Sequence, residues 1–455
     1  MNSLTVFAVI LFAATYILMF ALQKYRPLIA VVSAVIFVIV GTTGIFEGFS
    51  YTAADALKEI DWNVIMMIAG TMGTVYLFIV SKMPNRLSDL ILSKAGSIRW
   101  MVVLLSLFAG IISAFVDNVA TVLMVAPVAL AACKKLKISP VPVIICISLS
   151  SNLQGAATLV GDTTSILLGK AANLDFMDFF FCEGRPGMFW VTEAGALAAT
   201  LLIIWIFRKN KEKVGVNRIT QVNDYFPTWL LVGTVVVLIA VSFIPYKSNA
   251  KPGQFYKPDI TNGLICITFF VIGLVRQMLK DHSRLILMKA LKEIDYYTIT
   301  LLCGLFIVIG GITRAGIIEL IGEKIAGLSG NGTLMSVFIV YSIIVWMSVL
   351  LSAFIDNIPY TATMLPVVAV VTKQLSAAGS LTVHPNLLFF GLLVGATLGG
   401  NITPIGASAN ITGIGILNRG GHSVSAGTFM KFGVPFTLAA VTTGWLLVWF
   451  IWMPK

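Results

Sequence analysis

The sequence predicts an all-α polytopic membrane protein made of two inverted repeats, each with a re-entrant helical hairpin followed by a broken transmembrane helix. Three observations predict it. Hydrophobic residues make up 58% of the 455 positions and charged residues only 11%, and apolar runs of about 20 residues recur, the length an α-helix needs to cross a bilayer. SAFVDN at 113–118 returns as SAFIDN at 352–357, placing an ionisable group twice inside apolar sequence, where insertion costs roughly 2.5 to 3.5 kcal/mol unless protein or a wet cavity receives it. A glycine-interrupted run follows each copy.

Apolar runs predict helices over 4–22, 28–46, 62–81, 99–116, 119–133, 140–158, 187–207, 228–245, 260–277, 297–313, 334–355, 358–372, 386–399 and 432–453. The first run has neither a basic leader nor a small-residue cleavage site, so it is expected to stay as a span rather than be removed as a signal peptide. Only Asp117-Asn118 and Asp356-Asn357 separate the members of two pairs of runs. Each pair therefore reads as a hairpin, 99–133 and 334–372, that dips in and returns on one side. Broken helices follow over 140–170 and 386–417. The expected division is a leading transmembrane helix in 1–27, a first repeat over 28–208, a charged cytoplasmic linker over 209–227 and a second repeat over 228–455.

Charge distribution orients this arrangement. The net charge of +11 comes from clusters between spans, which track membrane orientation rather than nucleic-acid binding. With both hairpins re-entrant, the loops around Lys24 and Arg26, Lys82 to Arg99, Lys134 to Lys137, Arg208 to Arg218, Arg276 to Lys292 and Arg419 to Lys431 share one compartment. They hold about two thirds of all Lys and Arg, which assigns that side to the cytoplasm and both termini to the outside. An ordinary crossing at either hairpin would invert every later loop.

The duplication extends further. LKEID at 57–61 recurs at 291–295, Asp117 to Pro127 matches Asp356 to Pro366, and Gly155, Thr158, Gly161 and Ser165 align with Gly400, Thr403, Gly406 and Asn410. The first LKEID precedes a span that starts outside and the second one that starts inside, so the repeats are inverted from there onward. Inverted repeats whose broken helices meet near the midplane are a signature of secondary transporters.

The chemistry is expected at the tips and the breaks. Glycines in NLQGAATLVGDTTSILLG (152–169) and GATLGGNITPIGASANITG (395–413) release backbone groups, and Pro404 removes a helix hydrogen bond. A broken helix offers carbonyl oxygens to a cation and half-helix N-termini to an anion. Close helix packing is the alternative use of such glycines. Candidate coupling-ion and substrate ligands are Asp117, Asn118, Thr121, Asn152, Gly155, Thr158, Gly161, Asp162, Thr163, Thr164 and Ser165 in the first half. Asp356, Asn357, Thr361, Gly400, Asn401, Thr403, Pro404, Gly406, Ser408 and Asn410 form the opposing wall. Asp117 and Asp356 can also cap the helices that follow them. Asp162 aligns with Ala407, so the first half gathers two carboxylates where the second offers one. Sodium would suit the oxygens of Asp117, Asn118, Asp162 and Thr163, with Thr164 in reach. The two carboxylates could carry a proton instead. Glu193 faces either the cavity or the membrane edge.

The remaining features carry little chemistry. Cys133, Cys146, Cys182, Cys266 and Cys303 are scattered without a CxxC pair, so no disulfide or zinc framework is expected. His282, His384 and His422 lie apart in loop sequence, where no clustered metal site arises. Trp62, Trp100, Trp190, Trp229 and Trp452 fall near span ends and read as interfacial anchors. No phosphate-binding loop is visible, no catalytic residues are assigned, and no cofactor is expected beyond a sodium ion or proton.

SAFVDNVATVLMVAPV, SAFIDNIPYTATMLPV and GATLGGNITPIGASANI resemble the ion transporter superfamily across essentially the whole chain from the second span onward. They look like its citrate-transporter-like branch, with the arsenite/antimonite permeases and the melanosomal P protein. Ile402 to Gly406 is similar to the arsenite permeases, whereas Gly161-Asp162-Thr163-Thr164-Ser165 is similar to NhaD-type sodium/proton antiporters rather than to the G-D/T-P-P-N run of P-protein relatives. The resemblance implies a homodimeric elevator-type secondary transporter in a bacterial or archaeal cytoplasmic membrane, with hairpins and broken helices moving against a scaffold. The expected function is sodium- or proton-coupled movement of a small anion or oxyacid, arsenite-like or carboxylate-like, with Asp117 and Asp162 as coupling residues. Sodium/proton exchange is the alternative, followed by a passive channel or an intramembrane aspartyl protease.

Overall fold

A computed structural model of the protein describes residues 3–213, 220–246, 254–281, 285–292, 294–327, 333–378 and 382–454. Arg218 and the middle of the linker, His282, Arg284 and Glu293 lie outside the described residues. Among the described residues the regular structure is helical apart from a two-stranded ribbon, Phe181–Cys182 with Arg185–Pro186, and an isolated bridge between Tyr246 and Lys257. Among the described residues nine helices are long and apolar enough to cross a membrane.

The helices follow one order twice. The first ten are α1 (Ser3–Ala21), α2 (Arg26–Thr43), α3 (Ala53–Glu59), α4 (Trp62–Val80), α5 (Met83–Lys94), α6 (Ile98–Ser113), α7 (Asn118–Leu136), α8 (Val141–Gly155), α9 (Thr163–Ala171) and α10 (Met188–Ile206). The next ten are α11 (Phe226–Ser242), α12 (Thr261–Asp281), α13 (Leu285–Lys292), α14 (Tyr296–Arg314), α15 (Ile317–Gly327), α16 (Leu334–Ser352), α17 (Asn357–Ala378), α18 (Pro385–Gly399), α19 (Ser408–Arg419) and α20 (Ala426–Trp452). The short helices α3, α5, α13 and α15 do not stand out in the sequence as apolar runs, because α5 and α15 are brief and amphipathic.

Local chemistry starts and stops these elements. The duplicated LKEID motif ends in Asp61 and Asp295, which cap α4 and α14 by accepting from Val64 N and Thr298 N, each at 3.0 Å. Such caps satisfy amides that a helix start leaves without partners. The hairpin turn between α6 and α7 ends at Asp117, whose carboxylate accepts from Val119 N at 3.0 Å and Ala120 N at 3.2 Å. Pro127 and Pro366 sit inside α7 and α17, each removing one internal hydrogen bond.

Apart from α5 and α15, which touch both, packing divides the helices into two sets. One set holds α1–α4 and α11–α14, where α2 packs along α14 and α4 along α12. The other holds α6–α10 and α16–α20, where α6 packs on α8, α16 on α18, and α10 on α20. The sets meet chiefly where α14 touches α17 and where α4 touches α7 and α9. In the first set two glycines allow backbone-to-backbone approach. A Cβ on Gly304 of α14 would stand 2.8 Å from the Ala30 backbone of α2, and one on Gly70 of α4 would stand 2.4 Å from the Cys266 backbone of α12.

Trp62, Trp100, Trp190 and Trp229 are exposed on the apolar surface, as anchors would be. Trp452 departs from that expectation. It is fully buried, with its ring 4.5 Å from that of His384 and 5.5 Å from that of Phe390. The end of α20 folds back over the start of α18, where His384 is the N-cap. All five cysteines are free.

The glycine contacts yield a stability test. Gly70→Val and Gly304→Val should each destabilise the detergent-purified protein by roughly 1 to 3 kcal/mol, because only backbone movement relieves the clash. Gly427→Ala should leave the melting temperature unchanged, since a Cβ there meets nothing within 4 Å.

Candidate functional site

The tips and the breaks meet in the second helix set. After Gly155 the backbone leaves helical geometry until Thr163, and after Gly399 until Ser408. Exposed backbone polar groups at membrane depth must be satisfied by protein or water, and here each break is tied to its neighbouring hairpin tip. Thr158 donates its hydroxyl to the Ala114 carbonyl, and Thr403 donates to the Ala353 carbonyl. Ser165 closes the first break onto the Gly155 carbonyl at 3.1 Å, and Asn410 closes the second onto the Gly400 carbonyl at 3.0 Å. Gly161 and Gly406 lie against these same turns, where a Cβ would come within 3 Å of the carbonyls of Ser113 and Ala114 or of Ser352 and Ala353. Pro404 lies in the second interruption.

Side chains then link the two halves. Asn118 donates to Asn152 Oδ1 at 3.0 Å, while Asn152 Nδ2 donates to the Thr397 carbonyl at 2.8 Å and to Asn401 Oδ1 at 3.1 Å. Asn401 in turn donates to the Leu149 carbonyl at 2.9 Å. Asp162 is the second link. Its Oδ2 accepts from Thr164 Oγ1 at 2.8 Å and from Asn357 Nδ2 at 3.3 Å, and Thr164 Oγ1 lies 2.9 Å from Thr397 Oγ1. All of these side chains are buried.

Asn118, Asp162 and Asn357 of this cluster line a cavity of about 180 Å³, while Asn152, Thr164, Thr397 and Asn401 lie behind that wall. Asp117, Asn118, Asp162, Thr163, Asn357 and Ser408 line it from the second set, and Met72, Tyr76, Asp295 and Thr298 of α4 and α14 face them from the first. A smaller space of about 10 Å³ lies between Asp117, Asp162 and Thr163 on one side and Thr71 and Met72 on the other, room for one occupant of ionic or water size. Among the described residues no Lys or Arg lines either space.

Some sequence candidates stand away from the cavity. Thr121 and Thr361 are buried but do not line it; Thr121 bonds back to the Val116 carbonyl at 3.4 Å, and the Thr361 hydroxyl has no hydrogen-bond partner among the described residues. Asp356 is also withdrawn. Its carboxylate receives Ile358 N and Ser408 Oγ, each at 3.3 Å, and forms an ion pair with Arg26 at 2.9 Å. Glu193 on α10 is half-buried and does not line the cavity.

Three participants escape the sequence reading. Arg26 looks like a loop cation beside Lys24, yet it is 4% exposed at the start of α2. Asp295 lies in the duplicated LKEID motif, and that repetition was its available signal. Thr397 looks like one more small polar residue in a glycine-rich run.

Several known proteins are similar to this chain. The family model described as Citrate transporter matches residues 9–395. Over 457 residues the chain is 30% identical to an uncharacterized transporter of Mycobacterium tuberculosis (strain ATCC 25618 / H37Rv), covering 98% of each. It is 27% identical over 416 residues to the P protein of Homo sapiens, covering 77% of this chain and 48% of that protein. Among solved structures, the YdaH transporter of Alcanivorax borkumensis has a similar fold, with a TM-score of 0.58 at 14% identity over 95% of this chain and 98% of that one. MtrF of Neisseria gonorrhoeae gives a TM-score of 0.52 at 13% identity, over 94% and 95% respectively.

The cavity's composition can be checked by labelling. Cysteines introduced at Ala120 and Leu123, which line it, should react with a water-soluble maleimide. Cysteines at Thr121 and Thr361 should stay protected until the protein is denatured.

Proposed function

The chain belongs to the citrate transporter family of the ion transporter superfamily, and from that premise we propose that it is a cation-coupled secondary transporter moving a small carboxylate-like anion by an elevator motion. The observation that carries this reading is the convergence of two hairpin tips and two helix breaks on one cavity faced by α4 and α14. Three carboxylates, Asp117, Asp162 and Asp295, line that cavity without a cationic side chain among the described residues. Charges withdrawn from water must be neutralised by partners, protons or bound cations. An anionic cargo therefore fits this wall only together with sodium ions or protons. The small space beside Asp117, Asp162 and Thr163 suits a coupling ion, and α19, whose N-cap Ala407 supplies no side-chain acceptor, leaves amides free for an anion.

The motion is supported by the two helix sets. If each hairpin is re-entrant, each run of ten helices crosses the bilayer five times, through its first, second, fourth and tenth helices and its broken eighth-and-ninth pair. An odd number inverts the second run relative to the first, with α1 counted in the first repeat rather than ahead of it. On the charge-based orientation the termini face outside. The cavity then lies toward the cytoplasmic ends of α4 and α14, which makes this an inward-facing state. A homodimer in a bacterial-type cytoplasmic membrane completes the reading.

Sodium/proton exchange is a second reading, favoured by the acidic lining itself. Flux separates the two. In proteoliposomes, citrate and smaller carboxylates should accumulate above equilibrium when a sodium or proton gradient is imposed, whereas mere equilibration would point to a channel. Sodium-driven proton movement without any anion would favour the exchanger. Asp162→Asn should lower cation-driven uptake about 100-fold, the equivalent of about 3 kcal/mol in cation binding. Unchanged cation dependence would remove Asp162 from the site.

A further inference from the structure

Among the described residues two buried ion pairs join the helix sets, and neither lines the cavity. Arg26, at the start of α2, holds Asp356 at the second hairpin tip at 2.9 Å. Lys257, just before α12, holds Asp175, which follows α9, at 2.7 Å; its side chain is 3% exposed. Asn262 at the start of α12 shares that carboxylate at 3.4 Å.

The first helix set relates these two places. Gly304 abuts Ala30, and Gly70 abuts Cys266, so Ala30 of α2 and Cys266 of α12 hold equivalent positions. Four residues back from each stand Arg26 and Asn262. The start of α12, with Asn262 and Lys257 on one carboxylate, is thus the counterpart of Arg26. The counterpart of Asp356 is Asp117, through the duplicated hairpin tip. One of the two matched couples, Arg26 with Asp356, is formed, while Asp117 faces the cavity and Lys257 is held by Asp175.

We propose that Lys257 exchanges carboxylates during transport, bonding Asp175 in the state seen here and Asp117 once the moving set has travelled to the opposite face. The proposal rests on the inverted-repeat elevator reading. Asp175 belongs to the loop after α9 and travels with that set, away from Lys257. The Val241 carbonyl at 3.0 Å and the Tyr246 ring at 4.4 Å stay with Lys257, but both are neutral. A buried ammonium left without a counter-charge is strongly disfavoured, and the inverted counterpart of the Arg26–Asp356 contact delivers Asp117 to it. The loop after α19, over 420–425, carries no Asp or Glu, so only the α12 side has a carboxylate to exchange. Lys257 is a positioning residue: it selects between end states and does not ligate cargo.

The test uses the full chain in proteoliposomes, with Leu123→Cys in the cavity wall reporting the state through an impermeant maleimide on the cytoplasmic side. Asp175→Asn should free Lys257 for Asp117 and cut that labelling about tenfold, the scale of one charge-assisted hydrogen bond. Lys257→Gln removes a partner from both states and should change labelling less than about twofold. Equal loss in both variants would overturn the exchange, because Lys257 would then be a latch for one state only. Independently of that balance, Asp117→Cys with Lys257→Cys should form a disulfide on oxidation, identified by mass spectrometry. Failure of this pair where Arg26→Cys with Asp356→Cys succeeds would also overturn the exchange. Labelling of Leu123→Cys that never responds to an imposed gradient would remove the elevator reading and the exchange together. Labelling that alternates without the 117–257 disulfide would remove the exchange alone.

Discussion

Everything near the site depends on one constraint: backbone that leaves helical geometry inside an apolar layer must find partners within the protein. Four stretches do so, at 114–117, 156–162, 353–356 and 400–407, and each satisfies another. Thr158 and Thr403 reach the carbonyls of the adjacent tips. Ser151 donates to the Asn118 carbonyl at 3.0 Å, and Ser352 donates to the Ala396 carbonyl at 2.5 Å. A tip and its break are therefore one unit, since parting them would strand buried carbonyls that cost about 1 to 3 kcal/mol each when unpaired.

Helix packing joins two such units into one body, α19 lying on α7 and α8 and α17 on α9, and a few polar side chains cross the seam. Asn152 reaches Asn401 and the Thr397 carbonyl, and Asp162 reaches Asn357. These contacts put a chemical asymmetry at the seam. Asp162 stands where the other half has Ala407, so α9 is capped by a carboxylate while α19 has no side-chain cap. One half thus offers negative charge and the other offers free amides, a division suited to a cation beside an anion.

Much of this was legible in the sequence because inserting polar groups into apolar segments is expensive enough to leave marks. The duplicated Asp-Asn pairs lie at the starts of α7 and α17, and the interruptions after Gly155 and Gly399 fall within the glycine-rich runs. What escaped was information carried by distance. Arg26 sits among cations that orient the chain, and only folding carries it across to Asp356, 330 positions away. Asp295 announces itself as a helix cap, and nothing local says that α14 turns this end toward a cavity. Trp452 matches an interfacial anchor by position, yet the return of α20 over α18 buries it. Thr121 and Thr361 share the polarity of their neighbours, but helix rotation points them elsewhere.

In the proposed elevator motion, both tips travel as one body against α4 and α14. Spin labels placed on α8 and α18, behind the tips, and on α4 test it most directly by pulsed electron resonance under opposite ion gradients. Rigid-body travel leaves the α8–α18 distance unchanged and shifts the distance from each of them to α4. An α8–α18 distance that changes while the distances to α4 stay fixed would contradict it.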